Sequence, residues 1–158
     1  MRAASLSLAL LLAACAPAME NAAANGQVEL QGTVQVVGSE PVSSYPVLRA
    51  EDGTTYTLSG ALDPELRRLS GVKVEIRGEL QGRNLAATDY DIVSVDGQPV
   101  QMGVVQRAPG GGLQLQRSDG SVVTLSGAAS NLKVGQKVWV QGPTTSSVTV
   151  QTYGVISQ

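Results

Sequence analysis

The chain has 158 residues, with 11 Lys and Arg against 13 Asp and Glu, a net charge of −2 and no His. That acidic balance argues against a surface built to wrap nucleic acid, and the missing His removes the commonest general base and metal ligand. Eighteen Gly, seven Pro and an abundance of Val, Thr and Gln favour short strands with frequent turns.

Residues 1–14 read as an export leader. Arg2 supplies a short positive start, Leu6 to Leu12 a brief apolar core, and Leu12-Ala13-Ala14-Cys15 matches the lipobox at which bacterial lipoproteins are lipidated and cut. The chemistry needs small residues before the cut and a thiol to take the diacylglyceryl group, and Cys15 is the only cysteine in the chain. The apolar run is well short of the ~20 residues that span a bilayer. The alternative is an ordinary cleaved leader with an incidental cysteine. Residues 15–26, small and without a strand pattern, read as the lipidated cysteine and a tether.

Val28, Leu30, Val34 and Val36 alternate with Glu29, Gln31, Thr33 and Gln35, a period of two that predicts a half-buried strand. Gly32 takes one inward place and predicts a bend or bulge there. A loop from Gly38 to Tyr45 leads to a second strand, Pro46 to Ala50, and the Asp52-Gly53 turn leads to a third, Thr54 to Leu58. Leu62, Leu66 and Leu69 stand at helical spacing, with Asp63 placed as the cap, Pro64 at the first helical position and Gly71 as the stop. Val72, Val74, Ile76, Gly78 and Leu80 alternate with charged residues in a fourth strand, and a turn at Gln81 to Asn84 leads to a fifth that ends at Val95.

The order then repeats. Asp52 to Ala61 returns as Asp119 to Ala128, with seven of ten positions identical. Gly71 to Gly78 returns as Gly135 to Gly142, Gly32 as Gly103, and Tyr90 to Ser94 as Tyr153 to Ser157. Ala128 to Leu132 replaces the helix in shortened form. The chain therefore divides into a first module over 27–97 and a second over 98–158.

Three strands, a short helix and two strands within each module resemble the OB-fold, a five-stranded Greek-key barrel. The Gly-x-Val opening, the Asp-Gly hairpin and the Gly-x-Lys-Val-x-Val-x-Gly fourth strand are similar to those of exported bacterial OB-fold domains of uncharacterised function. The expected fold is all-β: two tandem five-stranded OB-like barrels, each with a short helix between its third and fourth strands. A single larger antiparallel sandwich made from both halves is the alternative. The resemblance implies a binding or scaffolding role and carries over no catalytic residue.

OB-folds bind ligands on the face of strands two and three and on adjoining loops. There the second module offers Arg107, Gln114, Gln116, Arg117 and Thr124, without an aromatic; a solvated polar face is the plainer reading. Trp139 stands opposite inward Val138 and Val140, where it is either a contact anchor or covered within the protein. Asp89 and Asp91 read as surface strand carboxylates, since no ligand series for a cation surrounds them. Residues 26–97 hold 6 basic and 11 acidic residues (net −5), and 98–158 hold 4 and 1 (net +3), so the modules are complementary in charge. No cofactor or metal site is expected. The expected role is that of a non-catalytic, lipid-anchored protein of the cell envelope, held to a membrane by its N-terminal lipid and meeting an envelope protein or cell-wall partner. The second reading is a module for an oligosaccharide or single-stranded nucleic acid; export and the acidic balance argue against nucleic acid.

Overall fold

The computed structural model describes residues 26–39, 43–144 and 146–158; the expected leader, Cys15 and the expected tether up to residue 25 lie outside them, and Gly26 opens the first strand instead. The predicted alternation produces strands β1 (Gly26–Val37), β2 (Tyr45–Ala50) and β3 (Thr55–Ser59), helix α1 (Asp63–Arg68), and strands β4 (Lys73–Gln81) and β5 (Asn84–Val95). A two-residue strand, β6 (Gln98–Pro99), follows and pairs with the end of β5. The second set comprises β7 (Gln101–Arg107), β8 (Leu113–Gln116), β9 (Val122–Gly127), a 3-10 turn over Ala128–Asn131, and β10 (Lys137–Gln141), β11 (Ser147–Val150) and β12 (Thr152–Ser157). These strands make two separate six-stranded sheets, one from each half of the chain.

In the first sheet the pairing order is β3-β2-β1-β4-β5-β6, and β3 also pairs in parallel with β5, through Thr57↔Asn84, Leu58↔Leu85 and Ser59↔Ala86. The second sheet repeats this parallel step as Thr124↔Ser147, Leu125↔Val148 and Ser126↔Thr149. Strands β11 and β12 together thus stand where β5 stands, interrupted at Gln151, whose N–H bonds to the Gln141 carbonyl at 2.8 Å. The duplication extends to single hydrogen bonds. Val34 accepts from Gly71 N–H and donates to the Val72 carbonyl, and Val105 does the same with Gly135 and Gln136. In both Asp-Gly turns the Asp carboxylate accepts a backbone N–H two residues on at 2.8 Å, Thr54 in one and Ser121 in the other.

Two local expectations need correction. Asp63 is not the helix cap: Leu62 occupies that place in αR geometry without a side-chain cap, which puts Asp63 first in the helix and Pro64 second. The Asp63 carboxylate instead accepts from Arg67 Nε one turn on, at 2.5 Å. Nor does Gly32 mark a bulge, because its pairings with Ala50 and Val74 keep the register of their neighbours. What requires glycine is close approach, since β1 passes there from β4 to β2 and a Cβ would lie 2.4 Å from the Arg49 carbonyl oxygen. Gly103 repeats the device, 2.3 Å from the Gln116 oxygen.

Each sheet encloses its own apolar cluster. The second gathers Val105, Leu115, Leu125, Val138, Val140 and Val148. The first gathers Val34, Leu48, Leu58, Val74, Ile76 and Leu85 under α1, whose Leu66 is fully buried, and it also takes in Ile156 of β12 from the other half. Val100, Met102 and Trp139 pack against the same first cluster, so the outer face of β7 and β10 lies on the first half. Polar ties surround this junction. Lys137 Nζ meets Glu65 at 2.9 Å, Arg68 Nη1 donates to the Ile156 carbonyl at 2.8 Å, and Gln141 Nε2 donates to the Val95 carbonyl at 3.0 Å.

Candidate functional site

The β8–β9 turn brings Arg117, Ser118 and Asp119 to the seam between the halves. Two neighbouring hollows open there, of about 340 Å³ and about 220 Å³, which share Met102, Arg117 and Ser118. The first half contributes Asp91 and Ile92 to the larger hollow and Asp89 to the smaller. The larger is lined mainly by polar surface, with Ile92, Val100 and Met102 as its apolar portion.

Arg117 is the central group of this seam. Its side chain is half-buried, its Nη2 donates to Gln101 Oε1, and its Nε is buried without a hydrogen-bond partner among the described residues. Facing it, Asp91 accepts from Arg77 Nη2 at 2.7 Å and from Ser118 Oγ at 3.4 Å. Asp89 also accepts from Arg77 Nη2, at 2.6 Å. Hydrogen bonds donated to Asp91 and Asp89 raise the Arg77 pKa further, so that guanidinium is charged at every ordinary pH. Asp119 is turned to its own hairpin, where the Ser121 hydroxyl and N–H, with a smaller contribution from Arg117, hold its carboxyl below the usual range.

Of the other predicted positions, only Gln116 reaches the seam, where it lines the smaller hollow with Val104. Gln114 and Gln116 lie on the outer face of β8 in a row of linked amides with Gln106 of β7, and the exposed side chains of Val104 and Val122 flank that row. Arg107 is exposed and pairs with Leu113, at the opposite end of β8 from Arg117. The two arginines therefore do not converge, since four residues of strand separate their levels by ~13 Å. Trp139 is outside the groove: it packs on the first cluster, and its indole covers Gly154 so closely that a Cβ there would come 2.4 Å from Nε1. Asp89, Asp91, Gln101 and Lys137 are the groove residues that the strand-face reading passes over. Alternation places Asp89, Asp91 and Lys137 on outer faces and Gln101 in step with inward Gly103 and Val105; the docking of the halves brings Asp89 and Asp91 opposite Arg117.

Below the groove, Glu65 accepts from the Tyr90 hydroxyl at 2.7 Å and from Lys137, whose ammonium lies 4.2 Å from the Tyr90 ring centroid. Burial, and then Glu65, push the Tyr90 hydroxyl pKa far above its ordinary value. Burial acts to raise the Glu65 pKa, but hydrogen bonds from Tyr90, Lys137 and Ser157 outweigh it and leave the carboxyl below its ordinary value.

Among the described residues no group of three or more His, Cys, Asp or Glu is placed to hold a metal ion, and no helix is long and apolar enough to cross a membrane. In comparisons with family models, with curated proteins and with solved structures, nothing matches the chain.

Proposed function

We propose that this is a non-catalytic, lipid-anchored interaction module of the cell envelope, built from two OB-like barrels fixed to one another. The barrel reading is supported by the ring of pairings β1–β2–β3–β5–β4–β1 and its repetition in the second half. A five-stranded Greek-key barrel has this connectivity. The observation that carries the interaction role is the division of the second half's outer surface into two stretches. One stretch, with Met102 and Trp139, is committed to the first half, as is Ile156 of β12. The other continues along the same face of β7 and β8 with the Gln106–Gln114–Gln116 amide row and with Val104 38% and Val122 50% exposed. A partly apolar sheet face rimmed by uncharged hydrogen-bonding groups suits a protein partner, because little charge has to be desolvated on contact.

The test has two parts. Cells fed an alkyne-bearing fatty acid should label the protein, and Cys15→Ser should abolish the label. A photo-crosslinking residue at Gln116 should then give one discrete envelope adduct that is lost with Val104→Asp. Labelling unaffected by Cys15→Ser would end the anchor reading, and no adduct from Gln116 in intact cells would end the interaction reading. An oligosaccharide is the second reading, favoured by the same amide row, and would appear as protection of Gln116 from crosslinking by glycan fragments.

A further inference from the structure

The duplication supplies an internal control for Arg117. Its counterpart before the first Asp-Gly turn is Ala50, and the two turns are closed by the same bonds: Ala50 N–H to the Thr54 carbonyl at 2.8 Å, Arg117 N–H to the Ser121 carbonyl at 2.9 Å. The hairpin therefore forms equally well on alanine, and the guanidinium is not needed to build it. Its surroundings leave it without a direct ion pair, Asp119 acting on it only at longer range. Among the described residues no carboxylate comes within ion-pairing distance of Arg117, its one hydrogen bond goes to a neutral amide, and its Nε is orphaned. A half-buried guanidinium held in this way is costly unless an anion completes it.

The rest of the groove narrows the class of that anion. A planar carboxylate matches the fork of an arginine, whereas a dianion would be repelled by Asp89, Asp91 and Asp119 nearby. Those same carboxylates, with Ser118, favour an ammonium a few ångströms from the carboxylate. Ile92, Val100 and Met102 offer an apolar contact to the body of the ligand. The volume of about 340 Å³ is at the small end of ligand pockets, ~300–1,000 Å³, which suits a molecule of one or two amino-acid residues rather than a polymer.

We propose that the groove between the two halves binds a small zwitterion, a free amino acid or dipeptide, with its carboxylate on Arg117 and its ammonium toward Asp91 and Asp119. This rests on the larger hollow and does not depend on the partner proposed above or on the lipid anchor.

The experiment is a titration of the full-length protein in detergent with the dipeptide Ala-Ala, read on the Arg117 Nε–Hε NMR resonance. A saturable shift is expected. Affinity should fall at least about tenfold for Ala-Ala amide, which lacks the carboxylate, and for the Arg117→Gln protein followed on groove amides, because a lost charge-assisted pair has about that effect. N-acetyl-Ala-Ala should also bind more weakly, and Arg83→Gln, in an exposed turn, should bind as the unaltered protein does. Absence of a saturable shift up to about 10 mM, the weak end of specific binding, would overturn the proposal. So would equal affinity for the amide, or inorganic phosphate binding as tightly as the dipeptide. Should Arg117→Gln fail to fold, the amide and acetyl arms on the unaltered protein decide the matter.

Discussion

A methyl group on Gly32 would lie 2.4 Å from the Arg49 carbonyl oxygen, and one on Gly103 2.3 Å from that of Gln116. Both obstacles are backbone, which cannot swing aside as a side chain would. Gly32→Ala and Gly103→Ala should therefore each lower stability by about 1–3 kcal/mol. Gly110→Ala, at an open site with ordinary φ, should stay within about 0.5 kcal/mol. Urea denaturation of the three variants makes the comparison, and equal effects would show that close approach is not what selects glycine. At this scale the sequence was legible in part. The recurrence of glycine at the same step of both repeats marked the position as special, but a bulge and a close contact leave the same mark. Asp63 shows the same ambiguity: a carboxylate before a proline suits a cap or a first turn, and the backbone at Leu62 decides.

At the scale of elements, the junction of α1, β5 and β10 rests on Glu65, Tyr90 and Lys137. Because the folded-state pKa of Glu65 lies below its ordinary 4.5, its ionised form stabilises the fold fully above pH 4.5. That contribution is lost as pH falls through the folded value. Glu65→Gln should thus cost roughly 1 kcal/mol at pH 7 and progressively less below pH 4.5. Urea titrations of both proteins at neutral and acid pH test this, and a pH-independent difference would mean that Glu65 acts through packing alone. The strands themselves were plain in the sequence, because period-two alternation survives in β1, β4, β7 and β10. The break of the last strand at Gln151 was not, since both pieces alternate correctly and only their shared register with β9 and β10 separates them.

At the scale of the molecule, the halves share a core rather than merely touch. Ile156 is 1% exposed, in the cluster of Leu66, Tyr90 and Ile92. Truncating such a side chain costs ~2–5 kcal/mol. Ile156→Ala should lower the stability of the first sheet, with hydrogen exchange accelerating at Leu66 and Tyr90, and both halves should unfold in one transition. Two separate transitions, or a loss confined to the second sheet, would contradict a shared core. The repeat was readable from seven identities in ten positions. The groove was not, because alternation says which face a residue occupies and nothing about what will cover it. Arg117 was legible as a candidate, but its surroundings come from residues whose meaning depends on how the halves dock. The complementary charges of the halves hinted at contact, and one pair realises it directly, Lys137 with Glu65 at 2.9 Å.

The placement of Ile156 also bears on the order in which this chain can mature. A polypeptide is synthesised from its amino end, so β1 to β5 are complete long before residue 156 exists. During that interval the first half has its strands and helix but an unfilled place in its interior. Folding of the first half is then finished by a residue made after it. A nascent or interrupted chain would display a defect in the first half for a fault in the second, which is where quality-control proteases would find it.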